Sequence, residues 1–386
     1  MGKRRERIGI IGAGQLARML IEAATPLDLD IALLAASPLD SAARIWPDVT
    51  VGSPDDVETV AAFARTCDVV TFDHELVPEP VLARLEADGI TMAPSANALR
   101  VAQNKQRQRE LFATQGVPQP NHRVCFNAID TARAADELGY PVIIKAAYGG
   151  YDGRGVWNCT NRAELEAIAA ECHERRITMI VEERVALDRE LAILVARDKF
   201  GNHALYPVVE TIQVAGICRQ VNLTRAHYRD RSAPAGELAI AVANQIGLVG
   251  IMALELFQTG GGLLINEIAT RPHNSGHYTI ESVATSQFEQ HLRAILGWPL
   301  GSTKLIAKAA STVNILGGQD GVDPRDRLQT ALATTGVAIH LYGKEAQPGR
   351  KLGHVTVTGH AVDRCADRAW KAVELLTNER RPEALQ

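Results

Sequence analysis

The first hundred residues alternate short apolar runs, typical of buried strands, with segments whose apolar residues recur at helical spacing. A glycine turn, Gly12-Ala13-Gly14, separates the first strand from the first helix. This β-α-β alternation predicts a small parallel sheet covered by helices and ending near residue 100. The predicted strands are 8–11, 31–35 and 67–72, and the predicted helices are 16–24 and 81–87.

Beyond residue 100 the pattern changes to β-rich runs with fewer helices. A helix over 97–115, stopped by Gly116, precedes a strand that enters a glycine-rich loop. After Pro299 the pattern predicts three strands and a last helix. The chain is therefore predicted to be α/β (α+β), with divisions near 100 and 300. The further predicted strands are 142–145, one from 156, 179–182, several within 191–223, 251–257, 263–268, 311–316, 337–342 and 354–358, and the further helices are 162–175, 235–246 and 364–377.

Composition excludes several classes of protein. With 386 residues, 46% of them hydrophobic, the chain can bury a core in each of two or three domains. Its Lys and Arg residues are scattered and the net charge is -4, which argues against a nucleic-acid partner. The sequence lacks an apolar run of about 20 residues, so we expect no membrane span. Its six cysteines form no C-x-x-C pair, which favours a reducing, cytoplasmic location without zinc or disulfides.

The first glycine turn has two interpretations. Gly12-x-Gly14-x-x-Ala17 follows a strand and matches a dinucleotide fingerprint. The acidic residue expected about 20 positions later is missing, which counts against a nicotinamide-dependent dehydrogenase. The turn either packs tightly on the sheet or uses backbone amides at the helix start to hold an anion of a ligand.

A second glycine-rich segment follows a lysine at the end of an apolar strand. Lys145 is followed by four glycines, ending at Gly155. Glycines let backbone N–H groups approach phosphate oxygens without interference from Cβ, and Lys145 can reach the same oxygens as a point charge. A tight hairpin turn at Asp152-Gly153 needs fewer glycines. The segment therefore predicts a phosphate cradle, with a spacing that differs from the Walker A loop.

Two glutamates lie on strands that flank a second glycine turn. If the hairpin folds symmetrically about Gly261, Glu255 opposes Glu267 and both carboxylates point from one face. Like charges opposed among apolar residues destabilise a sheet unless a cation lies between them. Oxygen ligands without His or Cys favour Mg²⁺ shared with substrate phosphates. The alternative is a pair of solvent-facing glutamates on an edge strand.

Three further polar patterns are less specific. A strand ends at Glu182, and its backbone there could bind the edge of an adenine while a nearby carboxylate binds ribose. Glutamates of an ordinary solvated surface give the same sequence pattern. The polar loop 271–277 follows the hairpin and is predicted to lie at the reactive centre rather than in a plain surface loop. The basic turn around Lys344, Arg350 and Lys351 either binds a phosphate or is solvated surface.

Together these motifs resemble the ATP-grasp superfamily and, within it, the family of 5-(carboxyamino)imidazole ribonucleotide synthases. The resemblance covers nearly the whole chain. The strings that carry it are Gly14-Gln-Leu-Ala-Arg-Met19, Thr71-Phe-Asp-His-Glu75, Gly149-Gly-Tyr-Asp-Gly-Arg-Gly155, Arg271-Pro-His-Asn-Ser-Gly-His277, Ser286-Gln-Phe-Glu-Gln-His-Leu-Arg293 and Gly349-Arg-Lys-Leu-Gly-His354.

The resemblance implies a fold and an activity. A Rossmann-like parallel-sheet domain (1–100) would precede an ATP-grasp domain (101–300) with a lid around 120–185, and a small β-rich domain (301–386) would follow. The implied enzyme is a ligase of purine biosynthesis that converts aminoimidazole ribonucleotide, bicarbonate and ATP to the carboxyamino product, ADP and phosphate through carboxyphosphate. It would use Mg²⁺, or Mn²⁺ in its place, and act as a homodimer without nucleic acid or membrane.

Two other functions compete with this one. Another ATP-grasp amine ligase, such as a formate-dependent glycinamide ribonucleotide transformylase, would require formate rather than bicarbonate. A nucleotide-binding regulator would bind ATP without turnover.

The resemblance also assigns roles to individual residues of this sequence. Tyr151, Asp152 and Arg271 would be catalytic, and Glu255 and Glu267 would bind the metal ion. The implied ATP site comprises Lys105, Lys145, Gly150, Tyr151, Asp152, Gly153, Arg154, Gly155, Val156, Glu182, Glu183, Arg184, Val185, Glu190, Gln213, Asn266 and Glu267. The implied ribonucleotide site comprises Gln15, Glu75, Arg271, His273, Asn274, Ser275, Lys344, Arg350 and Lys351.

Overall fold

A computed structural model describes residues 5–150 and 155–382, except for the side chains of 224–232. The N-terminal part is a four-stranded parallel sheet in the order β3-β2-β1-β4, which confirms the predicted α/β unit. The short strand β3 and helix α2 were not predicted, and β3 lacks a buried apolar run because two of its three residues are exposed. The elements are β1 (Arg7–Ile11), α1 (Gln15–Ala24), β2 (Asp30–Ala35), β3 (Val49–Val51), α2 (Val57–Ala64), β4 (Val69–Phe72) and α3 (Glu79–Ala87).

The helix predicted over 97–115 is two helices, α4 (Ala96–Ala102) and α5 (Lys105–Thr114). The chain breaks at Asn104, whose side chain caps α5 by accepting hydrogen bonds from the amides of residues 106 and 107. The amide of Lys105 donates to the carbonyl of Ala147 at 2.8 Å. This pairing with a distant segment places Lys105 at the first turn of a new helix.

A second, antiparallel sheet has the strand order β5-β8-β6-β7 and two covering helices. Strands β6 and β7 pair from Val142↔Cys159 to Lys145↔Val156, so the glycine-rich segment joins two neighbouring strands. This layer lies within the range expected for the lid. Its elements are β5 (His122–Cys125), α6 (Ala128–Leu138), β6 (Val142–Ala146), β7 (Val156–Cys159), α7 (Arg162–Glu174) and β8 (Met179–Glu183).

The third sheet is antiparallel and has nine strands, in the order β14-β13-β9-β11-β12-β15-β17-β16 with β10 on β9. The C-terminal strands join the central ones through the β12–β15 pair. The elements are β9 (Arg189–Arg197), β10 (His203–Leu205), β11 (Val209–Val214), β12 (Ile217–Thr224), α8 (Arg225–Gln245), β13 (Gly250–Thr259), β14 (Gly262–Ala269), α9 (Thr279–Ser282), α10 (Gln287–Leu296), β15 (Ala309–Leu316), α11 (Leu328–Leu332), β16 (Val337–Leu341), β17 (Lys351–Gly359) and α12 (Val362–Thr377).

The two ends of the chain pack together. One buried apolar cluster joins β1 and α1 to Phe288 and Leu292 of α10 and to Tyr342 after β16. The hydroxyl of Ser41 donates to the carbonyl of Tyr342, and Arg44 Nη1 donates to the carbonyl of Gly343 at 2.6 Å. These contacts bring the turn after β16 against the carboxyl edge of the parallel sheet. The divisions at 100 and 300 stay predictions.

Within the described part of the chain, no helix combines the length and apolarity needed to cross a lipid bilayer. All six cysteines are free.

Candidate active site

A cleft of about 1940 Å³ opens where the three sheets meet. It takes residues from the start of α1, from the loop after β4, from β6 and β8, from the β13–β14 hairpin and from the turn before β17. The predicted residues that line it are Gln15, Glu75, Lys105, Lys145, Gly150, Val156, Glu182, Glu183, Arg184, Val185, Glu190, Gln213, Glu255, Asn266, Glu267, Arg271, His273, Asn274, Lys344, Arg350 and Lys351.

Glu255 and Glu267 are register partners on β13 and β14, which confirms the predicted pairing. The turn differs from the expected one, because Thr259 pairs with Gly262 and the hairpin is centred between Gly260 and Gly261. A bulge at Asn266 restores the Glu255–Glu267 pairing. Both carboxylates and the Asn266 amide therefore line the cleft.

The two carboxylates have opposite electrostatic surroundings. Burial and the neighbouring carboxylates of Glu267 and Glu190 raise the pKa of Glu255 to about 8. Burial also favours protonation of Glu267, but the ammonium of Lys105 outweighs it and lowers the pKa of Glu267 to about 2. Lys105 Nζ donates directly to Glu267 Oε2. An ammonium of the chain thus neutralises one carboxylate of the pair.

Lys145 is fixed by two acceptors at the end of β6. Its Nζ lies 2.8 Å from Glu182 Oε2 on β8 and donates to Asn266 Oδ1 at 2.9 Å. Burial raises the pKa of Glu182, but Lys145 and Arg109 overcome that effect and lower it to about 2. Sequence reasoning missed Arg109, because it lies in a polar run of α5 that has no motif.

The other predicted nucleotide contacts lie around the ends of β8 and β9. The carboxylate of Glu183 accepts from the amide and side chain of Asn121 at 2.9 and 3.0 Å, so it is already engaged. Burial raises the pKa of Glu190, and a side-chain hydrogen bond with Gln213 opposes that shift. The pairing places Gln213 beside Glu190 in the same wall of the cleft.

Predicted ribonucleotide contacts gather at the opposite end of the cleft. Arg271 Nε donates to Glu75 Oε2 at 2.6 Å, and Lys344 Nζ donates to Gln15 Oε1. The guanidinium of Arg350 donates to the carbonyl of residue 345 at 3.2 Å and is otherwise exposed on its turn. This end of the cleft combines residues from four places in the fold: the start of α1, the loop after β4, the loop after β14 and the turn before β17.

The polar loop after β14 contributes residues of two kinds. His273 and Asn274 line the cleft, and His273 Nε2 lies 3.5 Å from Glu255 Oε1. Ser275 is 1% exposed, and its hydroxyl lies 2.9 Å from His273 Nδ1. Ser275 therefore does not line the cleft as a substrate contact. It packs against the ring of His273 instead.

The backbone amides of the glycine turn at the start of α1 are bonded to a side chain of the protein itself. The amides of Gly14 and Ala17 donate to Asp73 Oδ2 and Oδ1 at 2.7 and 2.8 Å. A Cβ at Gly14 would lie 2.3 Å from Asp73 Oδ2, which explains the glycine. The interpretation that these amides hold an anion of a ligand is therefore wrong for Gly14 and Ala17, because a carboxylate after β4 occupies them.

Four predicted residues of the glycine-rich segment, Tyr151, Asp152, Gly153 and Arg154, lie outside the described residues. Gly155 has φ +72°, a conformation that favours glycine, and its carbonyl accepts from the amide of Ala146 at 2.8 Å.

Comparison with known proteins matches three family profiles along the chain. The ribonucleotide synthetase preATP-grasp domain matches residues 5–103, the ATP-grasp domain matches 110–288, and the phosphoribosylaminoimidazole carboxylase C-terminal domain matches 310–368.

Full-length relatives match as well. The N5-carboxyaminoimidazole ribonucleotide synthase of Mycobacterium tuberculosis is 41% identical over 97% of this chain and 88% of its own length. The crystal structure of an N5-carboxyaminoimidazole ribonucleotide synthetase in complex with ADP is 33% identical, with a TM-score of 0.88 over 96% of both chains. The Aspergillus clavatus enzyme, solved with ADP and 5-aminoimidazole ribonucleotide, is 32% identical, with a TM-score of 0.85 over 96% of this chain and 98% of its own.

Proposed function

The chain belongs to the family of N5-carboxyaminoimidazole ribonucleotide synthases, and from that premise we propose how its cleft performs the reaction. It is an ATP-dependent ligase that carboxylates 5-aminoimidazole ribonucleotide in purine biosynthesis, with ATP as co-substrate. The individual roles of its residues, the metal ion, bicarbonate and the assembly are our proposals.

ATP occupies the end of the cleft formed by β6, β8 and the β13–β14 hairpin. Lys145 and Lys105 contact the triphosphate, backbone amides of the segment 150–156 cover it, and residues 182–185 and Glu190 hold the adenosine. The position of Lys145 supports this assignment, because two acceptors hold its buried ammonium against the cleft wall. A fixed cation needs no reorganisation when phosphate charge shifts during transfer.

The carboxylate pair fits a Mg²⁺ ion, with Mn²⁺ as a substitute. Two half-buried hard oxygen donors face each other, and the ammonium of Lys105 already lies against Glu267 where a cation is favoured. Among the described residues, no group of three or more His, Cys, Asp or Glu side chains could hold a metal ion. Two carboxylates that share the ion with substrate phosphates are the usual arrangement for Mg²⁺. When bound, the ion would neutralise charge on the triphosphate.

The chemistry has two steps. An oxygen of bicarbonate attacks the γ-phosphorus of ATP, the bond to the β-γ bridging oxygen breaks, and carboxyphosphate and ADP form. The exocyclic amine of the ribonucleotide then takes the carboxyl group, phosphate leaves, and the amine loses a proton. Tyr151, Asp152 and Arg271 are the proposed catalytic residues. Arg271 is anchored by Glu75 at 2.6 Å, which supports a fixed cation beside the transferring group.

The ribonucleotide binds at the other end, between Gln15, Glu75 and the basic turn. Lys344, Arg350 and Lys351 grip its 5′-phosphate through charge-assisted hydrogen bonds. The contact of Lys344 with Gln15 supports this assignment, because it joins the basic turn to the start of α1 within one cleft. We also infer a cytoplasmic homodimer, which the family resemblance supports; light scattering of the purified protein tests the dimer.

One observation carries this proposal: two lysines and the paired glutamates share a cleft with a separate basic turn. A coupled ADP assay tests it. ADP formation should require both aminoimidazole ribonucleotide and bicarbonate. Activity with formate and glycinamide ribonucleotide instead would favour the transformylase, an alternative that the comparisons do not favour. ATP binding without turnover on either pair of substrates would favour a regulator.

A further inference from the structure

Arg109 lies on α5, one turn after Lys105, and its side chain is only 2% exposed. Its Nε and Nη2 atoms both donate to Glu182 Oε1, at 2.8 and 2.7 Å. Its Nη1 also reaches the carbonyl of Ile265 at 3.4 Å. Among the described residues that line the cleft, Arg109 is absent. It therefore does not face a ligand in the cleft, and any effect on binding must pass through its neighbours.

Those neighbours form a connected series of contacts. Glu182 uses its second oxygen to hold Lys145 Nζ at 2.8 Å, and Lys145 in turn donates to Asn266 at 2.9 Å. Asn266 is the bulge residue directly before Glu267. Arg109 thus holds the carboxylate of Glu182 in place, and Glu182 in turn holds the ammonium of Lys145.

The charges of this group favour an anionic ligand. A buried glutamate and a buried lysine alone form a neutral pair, in which the carboxylate cancels the lysine's charge. Arg109 supplies a second cation on the far side of Glu182, so the three groups carry one net positive charge. Lys145 and Glu182 line the cleft and Arg109 does not. Because Arg109 pairs with Glu182 from the side away from the cleft, Glu182 does not cancel the whole charge of Lys145, and the excess positive charge faces the ligand.

We propose that Arg109 is a positioning residue for ATP, which acts through Glu182 to orient Lys145 and to leave its charge available to the triphosphate. This inference rests on the proposed function, in which Lys145 contacts the triphosphate. Binding of the ribonucleotide should not depend on Arg109, because the cations proposed to bind the ribonucleotide lie on the turn before β17.

The experiment compares Arg109→Met, Arg109→Lys and the matched control Arg107→Met, which removes an exposed cation of the same helix. Calorimetry with ADP and steady-state kinetics with each substrate varied are the measurements. Arg109→Met should weaken ADP binding and raise the KM for ATP by about 10-fold or more, while the KM for the ribonucleotide changes by less than about 2-fold. Arg109→Lys should restore part of the affinity, and the control should match the parent. A packing role alone would lower the melting temperature without separating the two substrates.

A double-mutant cycle tests whether the effect passes through Lys145. In a Lys145→Met background, Arg109→Lys should cause no further loss of ADP affinity. This measurement does not require Arg109→Met, so it can still be made if that variant does not fold. Two results would overturn the inference. The first is that the losses of ADP affinity from Lys145→Met and Arg109→Lys add in the double mutant. The second is that Arg109→Lys and Arg109→Met bind ADP as the parent does, although Lys145→Met binds it weakly. Unchanged ADP binding by Lys145→Met would instead overturn the proposed role of Lys145, and the inference with it.

Discussion

Glu255 and Glu267 face each other across the β13–β14 hairpin because the bulge at Asn266 offsets its two-residue turn. The bulge also places the Asn266 amide between two functional groups, where it accepts from Lys145 at 2.9 Å and lies 3.3 Å from Glu255. Asn266 of β14 therefore contacts both the proposed metal ligand Glu255 and the proposed phosphate-binding residue Lys145.

The first prediction concerns the metal site. Glu267→Gln should abolish turnover and leave the fold intact, because it removes one of two charged oxygen ligands and the partner of Lys105. The measurements are ADP formation across a Mg²⁺ titration and circular dichroism. Glu210→Gln on strand β11 of the same sheet, outside the cleft residues, is the matched control. Near-normal activity of Glu267→Gln at low Mg²⁺ would contradict the proposal that Glu267 is a ligand of the metal ion.

The basic turn gives the second prediction. Arg350→Ala should raise the KM for the ribonucleotide by about 10-fold or more, since a charge-assisted hydrogen bond contributes about 1.5–3 kcal/mol. The KM for ATP should move little. Arg364→Ala, which removes an exposed cation at the start of α12, should leave both values unchanged. If the KM for ATP rises instead, the two ends of the cleft have been assigned the wrong way round.

The third prediction addresses the contact between the N-terminal sheet and the basic turn. Arg44→Ala removes the hydrogen bond to the carbonyl of Gly343, next to Lys344. We expect the KM for the ribonucleotide to rise by about 3- to 10-fold through a displaced Lys344, with little effect on ATP. Arg65→Ala, which breaks an exposed ion pair with Asp88 in the same sheet unit, is the control. Equal effects of the two substitutions would contradict a specific role for Arg44.

The fourth prediction is a dependence of stability on pH. The pKa of Glu182 is lowered from 4.5 to about 2, so its ionised form stabilises the fold fully above pH 4.5, and this contribution is lost as the pH falls towards 2. Glu182→Gln should lower the free energy of unfolding at pH 7 by about 3–5 kcal/mol, because it leaves Arg109 and Lys145 without their carboxylate.

Urea unfolding between pH 7 and pH 3 measures this difference. The gap between the parent and Glu182→Gln should narrow below pH 4.5. Burial lowers the pKa of the neighbouring His122 and the Glu182 carboxylate opposes that shift, so Glu182→Gln lowers this pKa further. That change would widen the gap as the pH falls, and a narrowing gap therefore reports Glu182 itself. Glu171→Gln, an exposed substitution on α7, should follow the parent at every pH. A gap that stays constant down to pH 3 would show that Glu182 is not the group responsible.

Much of the fold could be predicted because its signals are local. Apolar periodicity predicted most of the strands and helices, since burial of one face acts over a few neighbouring residues. The opposition of Glu255 and Glu267 was also predictable, because both belong to one hairpin. The family resemblance added the remaining candidate residues, most of which line one cleft.

Contacts between residues far apart in the chain were decided only by the tertiary structure. Asp73 occupies the amides of Gly14 and Ala17, and Arg109 holds Glu182 across 73 positions. The break at Asn104 follows from pairing of Lys105 with Ala147, although the local sequence favours one helix. A carboxylate or guanidinium has the same local pattern whether it is solvated or buried. Only the packing of distant elements decides which of these groups lose water and must find a partner of opposite charge.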